Sequence, residues 1–520
     1  MMKWFKRVSW FYVFLTFFPL LYLWTANAAE IEPSDVLRPL LVTAAGSALL
    51  YLILALLFRH PTQTNWAGGW ILILFFSYGH VYNVLRHSPA LSALGHHRIL
   101  TVIYLILFGL GIWGILKYAH RLEPLTRWVN IFSGILVLMS LLQLAFFYTN
   151  RAITTHQAKF TQPEASTKAP FESPDIYLIV LDTYMRADAL EQEMGFDNSA
   201  FIDQLEEMGF YVASCSRANY GYTRASVASV LNMDYLPALE TRTGLTTEDD
   251  SFWAIIKNSE VRRQLESKGY QTVAFQSEYP WLEISDADVF LRLQQSSLDT
   301  SYILPFERLY IRTSAGILWE ALENKLGISF TSPDQNTGET VETDIDPYIR
   351  YHIDLKLFTL DKLSELPSLP GPKFVYAHII APHAPHVFTP DGKIVPGLTY
   401  EDYIHPTGSE ADRLGYLNSV QFINSRIMPV LQNILENSPS APIILLQGDH
   451  GYQDGGPGQY TILNAYFLPN GYANLYPSIT PVNSFRIILN EYFGAAYPLL
   501  PDASYDNNGP IPETFPGCIP

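Results

Sequence analysis

The chain is short of cysteine and of positive charge. Its 520 residues include two cysteines, Cys215 and Cys518, and 33 Lys and Arg stand against 50 Asp and Glu, for a formal charge of −17. Phosphate backbones require a clustered basic surface to displace their counterions, so this balance excludes nucleic acid as a partner. Two cysteines allow one disulfide or two free, buried thiols. Both stay open at this stage, because a sequence does not give the Cα separation that a bridge needs. No internal repeat is present. Charge is missing altogether from several long stretches, nearly all of them before Tyr148.

Those uncharged runs have membrane-spanning length: 8–28, 39–58, 66–85, 99–116 and 128–148. An α-helix needs about 20 apolar residues to cross the hydrocarbon core, and Trp or Tyr marks several of the ends. Residues 1–150 are therefore expected to form a bundle of about five transmembrane helices. The first run, preceded by MMKWFKR and followed by ANAA, fits a cleaved signal peptide as well as a retained helix. Either choice leaves the rest of the chain on the far side. Loop charge agrees, with Lys3, Lys6, Arg7, Arg59, Lys117, Arg121 and Arg127 in the predicted inner segments and only Arg38, Arg86 and Arg98 in the outer ones. The sequence thus predicts an integral protein of the cell membrane with its large C-terminal part extracytoplasmic. His80 falls inside the third run and is a functional candidate on that ground; His96 and His97 are expected in a solvated loop.

From residue 151 to 173 the chain is polar, with Pro and Thr and no periodicity, and reads as a linker. A domain over 174–520 follows. Short apolar, β-branched runs (IYLIVLD, FYVAS, TVAFQS, FVYAHII and PIILLQGD) alternate with amphipathic helical stretches. Strands apolar along their whole length and separated by helices predict an α/β domain with a mostly parallel central sheet between helices. Ligand chemistry in such a sheet belongs at the carboxyl ends of the strands.

Three strand ends carry residues that a core would not. IVLD ends at Asp182, HIIAPHAPH ends in His383 and His386, and LLQGDHG ends in Asp449 and His450. Singly, each is more simply a turn or cap. Together they are carboxylates and imidazoles projected from one edge, a donor set suited to a divalent cation such as Zn or Mn. Thr223 then acquires a second reading. It opens the apolar run after FYVAS, where a plain N-cap is the simpler role, with Ser226 and Ser229 as small helix residues. A cation beside it would activate its hydroxyl, and a helix N-terminus would favour a phosphate-like group there.

The ordered set IVLD, T-x-x-S-x-x-S, PHxPH and GDHG resembles the alkaline phosphatase and sulfatase superfamily. Within it, the plan of about five membrane helices and an outer domain resembles membrane-anchored sulfatase-like transferases such as lipoteichoic acid synthases and lipid A phosphoethanolamine transferases. The resemblance implies an alkaline-phosphatase-like α/β fold and a metal site made by Asp182, Thr223, Asp449 and His450, with Thr223 also the nucleophile. His383 or His386 would contact the transferred group or protonate the leaving group. Departures narrow the chemistry. Formylglycine sulfatases place a Cys or Ser in C-x-P-x-R, and here the position is Thr with no proline after it; no histidine follows His450, and Asp182 is followed by Thr183 rather than a second acid. One divalent ion (Mn, Zn or Mg) is expected rather than two. Arg224, Asn219 and Arg186 are expected to hold substrate, with Asp188 and His352 as further candidates. The implied activity is transfer or hydrolysis at a lipid-linked or phospholipid head-group phosphodiester. A sulfatase-type sulfuric ester hydrolase and a non-catalytic envelope scaffold are the alternatives.

Overall fold

The computed structural model describes residues 10–58, 60–88, 91–159, 173–245, 252–293, 302–319, 322, 345–395, 398, 408–453, 456–506 and 509–511. The chain divides into two compact units, residues 1–150 with 295–348, and residues 151–294 with 349–520. The first unit thus takes in a stretch that the sequence reading gave to the domain beginning at residue 174.

The first unit contains α1 (Phe11–Ala26), α2 (Leu37–Leu57), α3 (Pro61–His87) and most of α4 (His97–Lys159), with a short helix at Pro305–Thr313. Three stretches, Pro33–Leu57, Pro61–Arg86 and His97–Ala152, are long and apolar enough to cross a membrane, and α1 is shorter. Their apolar side chains point outward: Leu56 is 85% exposed and Leu57 67%. That much uncovered hydrocarbon is stable only in lipid, so the protein is an integral membrane protein with a C-terminal α/β domain. Two of the five predicted helices are joined without a loop. The runs at 99–116 and 128–148 lie in α4 on either side of Tyr118, where φ −117° and ψ 21° interrupt the helix. Helix continues to Lys159, beyond the predicted start of the linker at 151, while residues 160–172 lie outside the described residues. His80 is exposed on α3. His97 is not in a loop; it opens α4 and stacks on Tyr82 with ring centroids 3.9 Å apart.

The second unit is built on a seven-stranded sheet in the order β2–β7–β6–β1–β5–β3–β4. Its strands are β1 (Ile176–Leu181), β2 (Tyr211–Val212), β3 (Gln271–Phe275), β4 (Val289–Leu291), β5 (Lys373–Ile379), β6 (Ile443–Gly448) and β7 (Asn464–Phe467). Strands β1, β3, β4, β5 and β6 run parallel. The central three, β1, β5 and β6, are buried along their whole length, as a parallel sheet covered on both faces requires. FYVAS is a departure from the expected pattern. Only Tyr211–Val212 is strand, at the sheet edge and antiparallel to β7, because the chain turns away at Cys215, whose N–H bonds Pro477 O. Cys215 is disulfide-bonded, and the chain's other cysteine, Cys518, lies outside the described residues. The helices that frame the site are α5 (Thr223–Asn232), α6 (Pro347–Glu365), α7 (Glu410–Asn437) and α8 (Pro481–Phe493).

Beyond the carboxyl end of β3, one buried carboxylate holds the side chains of His352 and Lys356 from α6. Glu278 lies 2.6 Å from His352 Nδ1 and 2.8 Å from Lys356 Nζ. Burial opposes ionisation of Glu278, but the charges of His352 and Lys356 outweigh it and depress its pKa from 4.5 to about 2. The folded pKa is below the unfolded one, so this stabilisation is complete above the unfolded value and is lost as pH falls through about 2. Glu278→Gln strands Lys356 as a buried charge and is expected to cost about 3–5 kcal/mol at neutral pH, measured by denaturant unfolding of the second unit's signal.

Candidate active site

Register places the site. Leu181, the last residue of β1, pairs with Ile379 of β5 on one side and with Gly448 of β6 on the other. Asp182 and Asp449 therefore leave adjacent strands at the same level, both buried. Gly448 has a steric reason, since a Cβ there would lie 2.4 Å from Tyr184 O. The residue after Asp182, Thr183, has φ 65°, a conformation that β-branched side chains rarely adopt. Its N–H donates to Asp449 Oδ1 (3.0 Å) and its carbonyl accepts from Tyr416 OH (2.8 Å). Such strain persists where the surroundings over-determine it.

Thr223 arrives on a helix. It is the first residue of α5, after an extended Tyr222. Every residue from Ala225 to Asn232 is buried, and the small side chains of Ala225, Ser226, Ala228 and Ser229 let the helix be covered on all sides. Ser226 Oγ donates to Tyr220 O and Ser229 Oγ to Asp234 O, each at 2.8 Å. The T-x-x-S-x-x-S pattern thus holds one site hydroxyl and two structural ones. Thr223 Oγ1 lies 3.1 Å from His450 Nε2. His450 Nδ1 is 2.8 Å from Gly451 O, which assigns the ring proton to Nδ1 and turns the Nε2 lone pair toward Thr223.

Four donor atoms converge. His450 Nε2, 3.1 Å from Thr223 Oγ1, is also 3.6 Å from Asp449 Oδ2 and 3.8 Å from Asp182 Oδ1. Both carboxylate oxygens are buried without a hydrogen-bond partner. Orphan carboxylate oxygens aimed at a shared point are costly unless a cation lies there, and these separations match ligands around one ion at about 2.0–2.2 Å. The residues present fit a divalent metal ion. Asp182, His378 and Asp449 also form a group with donor atoms within 4.8 Å of one another. His378 Nε2, however, is engaged with the other oxygen of Asp182, Oδ2, at 3.2 Å. It is better placed to orient Asp182 than to replace His450 as a ligand.

His378 does not stand out in the sequence because it sits inside the apolar run of β5. The available signal was that it is the one imidazole in a fully buried strand, one residue before the strand's end. Burial opposes ionisation of Asp182, yet the surrounding imidazoles of His383, His378 and His450, with the His378 hydrogen bond, hold its pKa below the ordinary carboxylate range. Tyr376 is pushed well above the ordinary phenol value by burial and by the nearby charges of Asp449 and Asp182.

The two predicted histidines differ. Both ring nitrogens of His386 face protein groups, Nδ1 at 3.1 Å from Ser419 Oγ and Nε2 at 3.4 Å from Asp412 Oδ1. Burial lowers its pKa against the pull of Asp412. His383 is partly exposed, its Nδ1 faces Ala384 O at 2.6 Å, and its Nε2 has no hydrogen-bond partner among the described residues. Its N–H bonds the carbonyl of Asp182, which ties it to the site.

Two predicted substrate contacts are engaged elsewhere. Arg186 is buried and clamps Asp188 through Nε (2.6 Å) and Nη2 (2.8 Å), with Nη1 on Ser216 O. Asn219 donates to Ala503 O and Tyr235 OH and accepts from Val482 N–H, which fixes the loop before Thr223 to the start of α8. Arg224 is exposed beside Thr223 and lies over the Trp281 ring, 5.5 Å from its centroid. His352 belongs to the Glu278 cluster.

No protein-family profile matches the chain, and no curated protein does. Among solved structures the chain is similar to the integral membrane lipooligosaccharide phosphoethanolamine transferase A of Neisseria meningitidis, at 13% identity and TM-score 0.34 over 93% of this chain and 95% of that one. It is also similar to the zinc complex of the C-terminal periplasmic domain of EptC from Escherichia coli, at 13% identity and TM-score 0.36 over 67% and 94% of the two chains. A 2-O GAG sulfatase is similar at 13% identity and TM-score 0.37, over 65% and 74%.

Proposed function

We propose that the chain is a membrane-anchored, metal-dependent phosphotransferase or phosphodiesterase of the alkaline phosphatase and sulfatase superfamily. In this reading Thr223 is the nucleophile, and the reaction takes place on the extracytoplasmic side of the cell membrane at a lipid-linked or head-group phosphodiester. The observation that supports it is the placement of one hydroxyl, Thr223 Oγ1, at the first residue of a buried helix and 3.1 Å from His450 Nε2, beside two orphan carboxylate oxygens.

A divalent cation held by Asp182, Asp449, His450 and Thr223 would lower the pKa of the Thr223 hydroxyl and neutralise charge on the phosphoryl oxygens. Thr223 gives up its hydroxyl proton to solvent and its Oγ1 attacks phosphorus, the new O–P bond forming as the bond to the departing alcohol oxygen breaks on the opposite side. The unpaired amides in the first turn of α5 favour the negative charge that builds up there. His383, with Nε2 available, protonates the departing oxygen. Arg224 adds positive charge at the rim. An acceptor hydroxyl or water then attacks the phosphothreonine, its proton passing to His383, and the bond to Thr223 Oγ1 breaks, the threonine taking a proton from solvent for the next cycle.

The test uses the full chain in lipid nanodiscs loaded with Mn or Zn, assayed on phosphodiester, phosphomonoester and sulfate-ester chromogens. Metal-dependent phosphodiester turnover supports the reading. Preferential sulfate turnover would replace it with a sulfatase, and a metal-loaded protein inert to every ester would replace it with a binding module. The roles of the histidines separate by leaving group. His383→Ala is expected to lose about 10²–10³-fold in kcat on an alkyl phosphodiester and far less on a nitrophenyl ester, whose oxygen departs without a proton. His386→Ala should show no such dependence on the leaving group.

A further inference from the structure

We infer that residues 302–319, which lie between β4 and α6 in the chain but belong to the first unit, form a re-entrant membrane element. Residues 302–308 enter from the end of α2 marked by Arg38, and residues 312–319 lie at bilayer depth beside α3, covered by lipid rather than by water. This goes beyond the proposed chemistry and does not depend on it.

The helix Pro305–Thr313 starts with Pro305 and with Glu307 accepting the Leu304 N–H at 3.0 Å. Its apolar side enters the bundle, with Phe306 packed against Leu20, Leu23, Ile31 and Val36. Tyr310 packs against Tyr12, Leu72 and Phe76, and its hydroxyl meets Thr43 Oγ1 at 2.5 Å. Its first turn is tied to the start of α2, where Arg38 pairs with Glu307 and donates to Tyr302 O at 2.7 Å.

Depth follows from the contacts with α3. Ala315 N–H donates to Phe75 O at 2.7 Å. Gly79 lets the backbone at 312–314 lie directly against the helix, since a Cβ on Gly79 would stand 2.3 Å from Arg312 O. Ile317 packs with Tyr78, Tyr82 and Leu100. The apolar span of α3 ends at Arg86. At a helical rise of 1.5 Å per residue that span is about 39 Å long, so a hydrocarbon layer about 30 Å thick centred on it begins about 4 Å in from Arg86, and Gly79 and Phe75 lie about 6 and 12 Å inside the layer. The turn after Thr313 is level with the interior of the span.

An irregular turn at that depth must satisfy its own backbone, whereas a turn in water leaves donors to solvent. Here each N–H from Ser314 to Trp319 has a protein acceptor. In order these are Ile311 O, Phe75 O, Ser314 Oγ, Ser314 O, Ala315 O and Gly316 O. The hydroxyls of Thr313 and Ser314 bond carbonyls as well, Leu309 O at 2.7 Å and Ile311 O at 3.0 Å. Next to this fully paired turn Trp319 is 50% exposed. A fully paired backbone beside a half-exposed indole fits a segment whose surroundings are apolar.

The experiment uses the full chain in nanodiscs with Trp319→Cys, and with Asn470→Cys at an exposed turn of the second unit as the aqueous reference. Each cysteine is spin-labelled in detergent before reconstitution, the unmodified chain giving the background, and relaxation of the label is read with oxygen, which partitions into lipid, and with a neutral nickel chelate, which stays in water. The expected result is that the ratio of oxygen to chelate relaxation is at least about fivefold higher for Trp319→Cys than for Asn470→Cys. Equal ratios would overturn the inference by placing the segment in water. A label at 319 relaxed by neither agent would overturn it by placing the segment under protein.

Discussion

Thr223→Ala is expected to lower kcat/KM for phosphodiester turnover by at least about 10³-fold while leaving the fold intact. The physical reason for both halves lies in the contacts of one hydroxyl. Thr223 Oγ1 meets His450 Nε2, and the helix it opens is held by the buried run from Ala225 to Asn232 and by the Ser226 and Ser229 hydroxyls, none of which the substitution touches. Melting of the second unit should therefore shift little, and metal binding should weaken without vanishing, because three of four proposed ligands remain. Thr223→Ser restores an oxygen at the same helix position and should recover measurable turnover. If the alanine variant kept activity within tenfold of the native chain, the nucleophile would have to come from elsewhere on the sheet edge. Trapping a phosphorylated intermediate and finding the modified residue gives an independent readout.

Much of this site was legible because its residues break a pattern. Asp182, Asp449 and His450 interrupt apolar strands at their carboxyl ends, and parallel register does the rest, aligning Leu181 with Gly448. The sequence could not show side-chain direction within a loop. Arg186 and Asn219 are near Asp182 and Thr223 in sequence, but they turn to Asp188 with Ser216 and to Ala503 with Val482. His378 was hidden for the opposite reason, since a strand buried on both faces gives no alternation from which to read which residue faces the site. Strands β4 and β7, of three and four residues, carry too little periodicity to stand out. PFERLYIRT has the amphipathic pattern of any surface helix. Only the tertiary bonds to Arg38, Thr43 and Phe75 place it in the first unit.

Stripping divalent metal should abolish phosphodiester turnover and destabilise the second unit, and the same measurement shows whether Asp182 and Asp449 are ligands. With a cation bound, the two orphan oxygens are satisfied. Without it, two buried carboxylates face each other with only the nearby histidines to offset them. Chelation should lower the melting temperature, and restoring metal at about 100-fold over Kd should return about 2.7 kcal/mol of stability by mass action. Elemental analysis of the reloaded protein identifies the ion, with one per chain expected. Asp449→Asn makes the argument sharper, because its sign depends on the metal. An amide keeps the Oδ1 acceptor for the Thr183 and His450 N–H groups and removes the charge at Oδ2. In metal-free protein the variant should therefore be more stable than the native chain, by about 1–3 kcal/mol, since a buried unpaired acceptor and a like-charge pair are both relieved. In metal-loaded protein it should be the less stable of the two and inactive. A variant destabilised equally in both states would mean that Asp449 serves the turn at Thr183 alone, and the cation would have to be held by other groups.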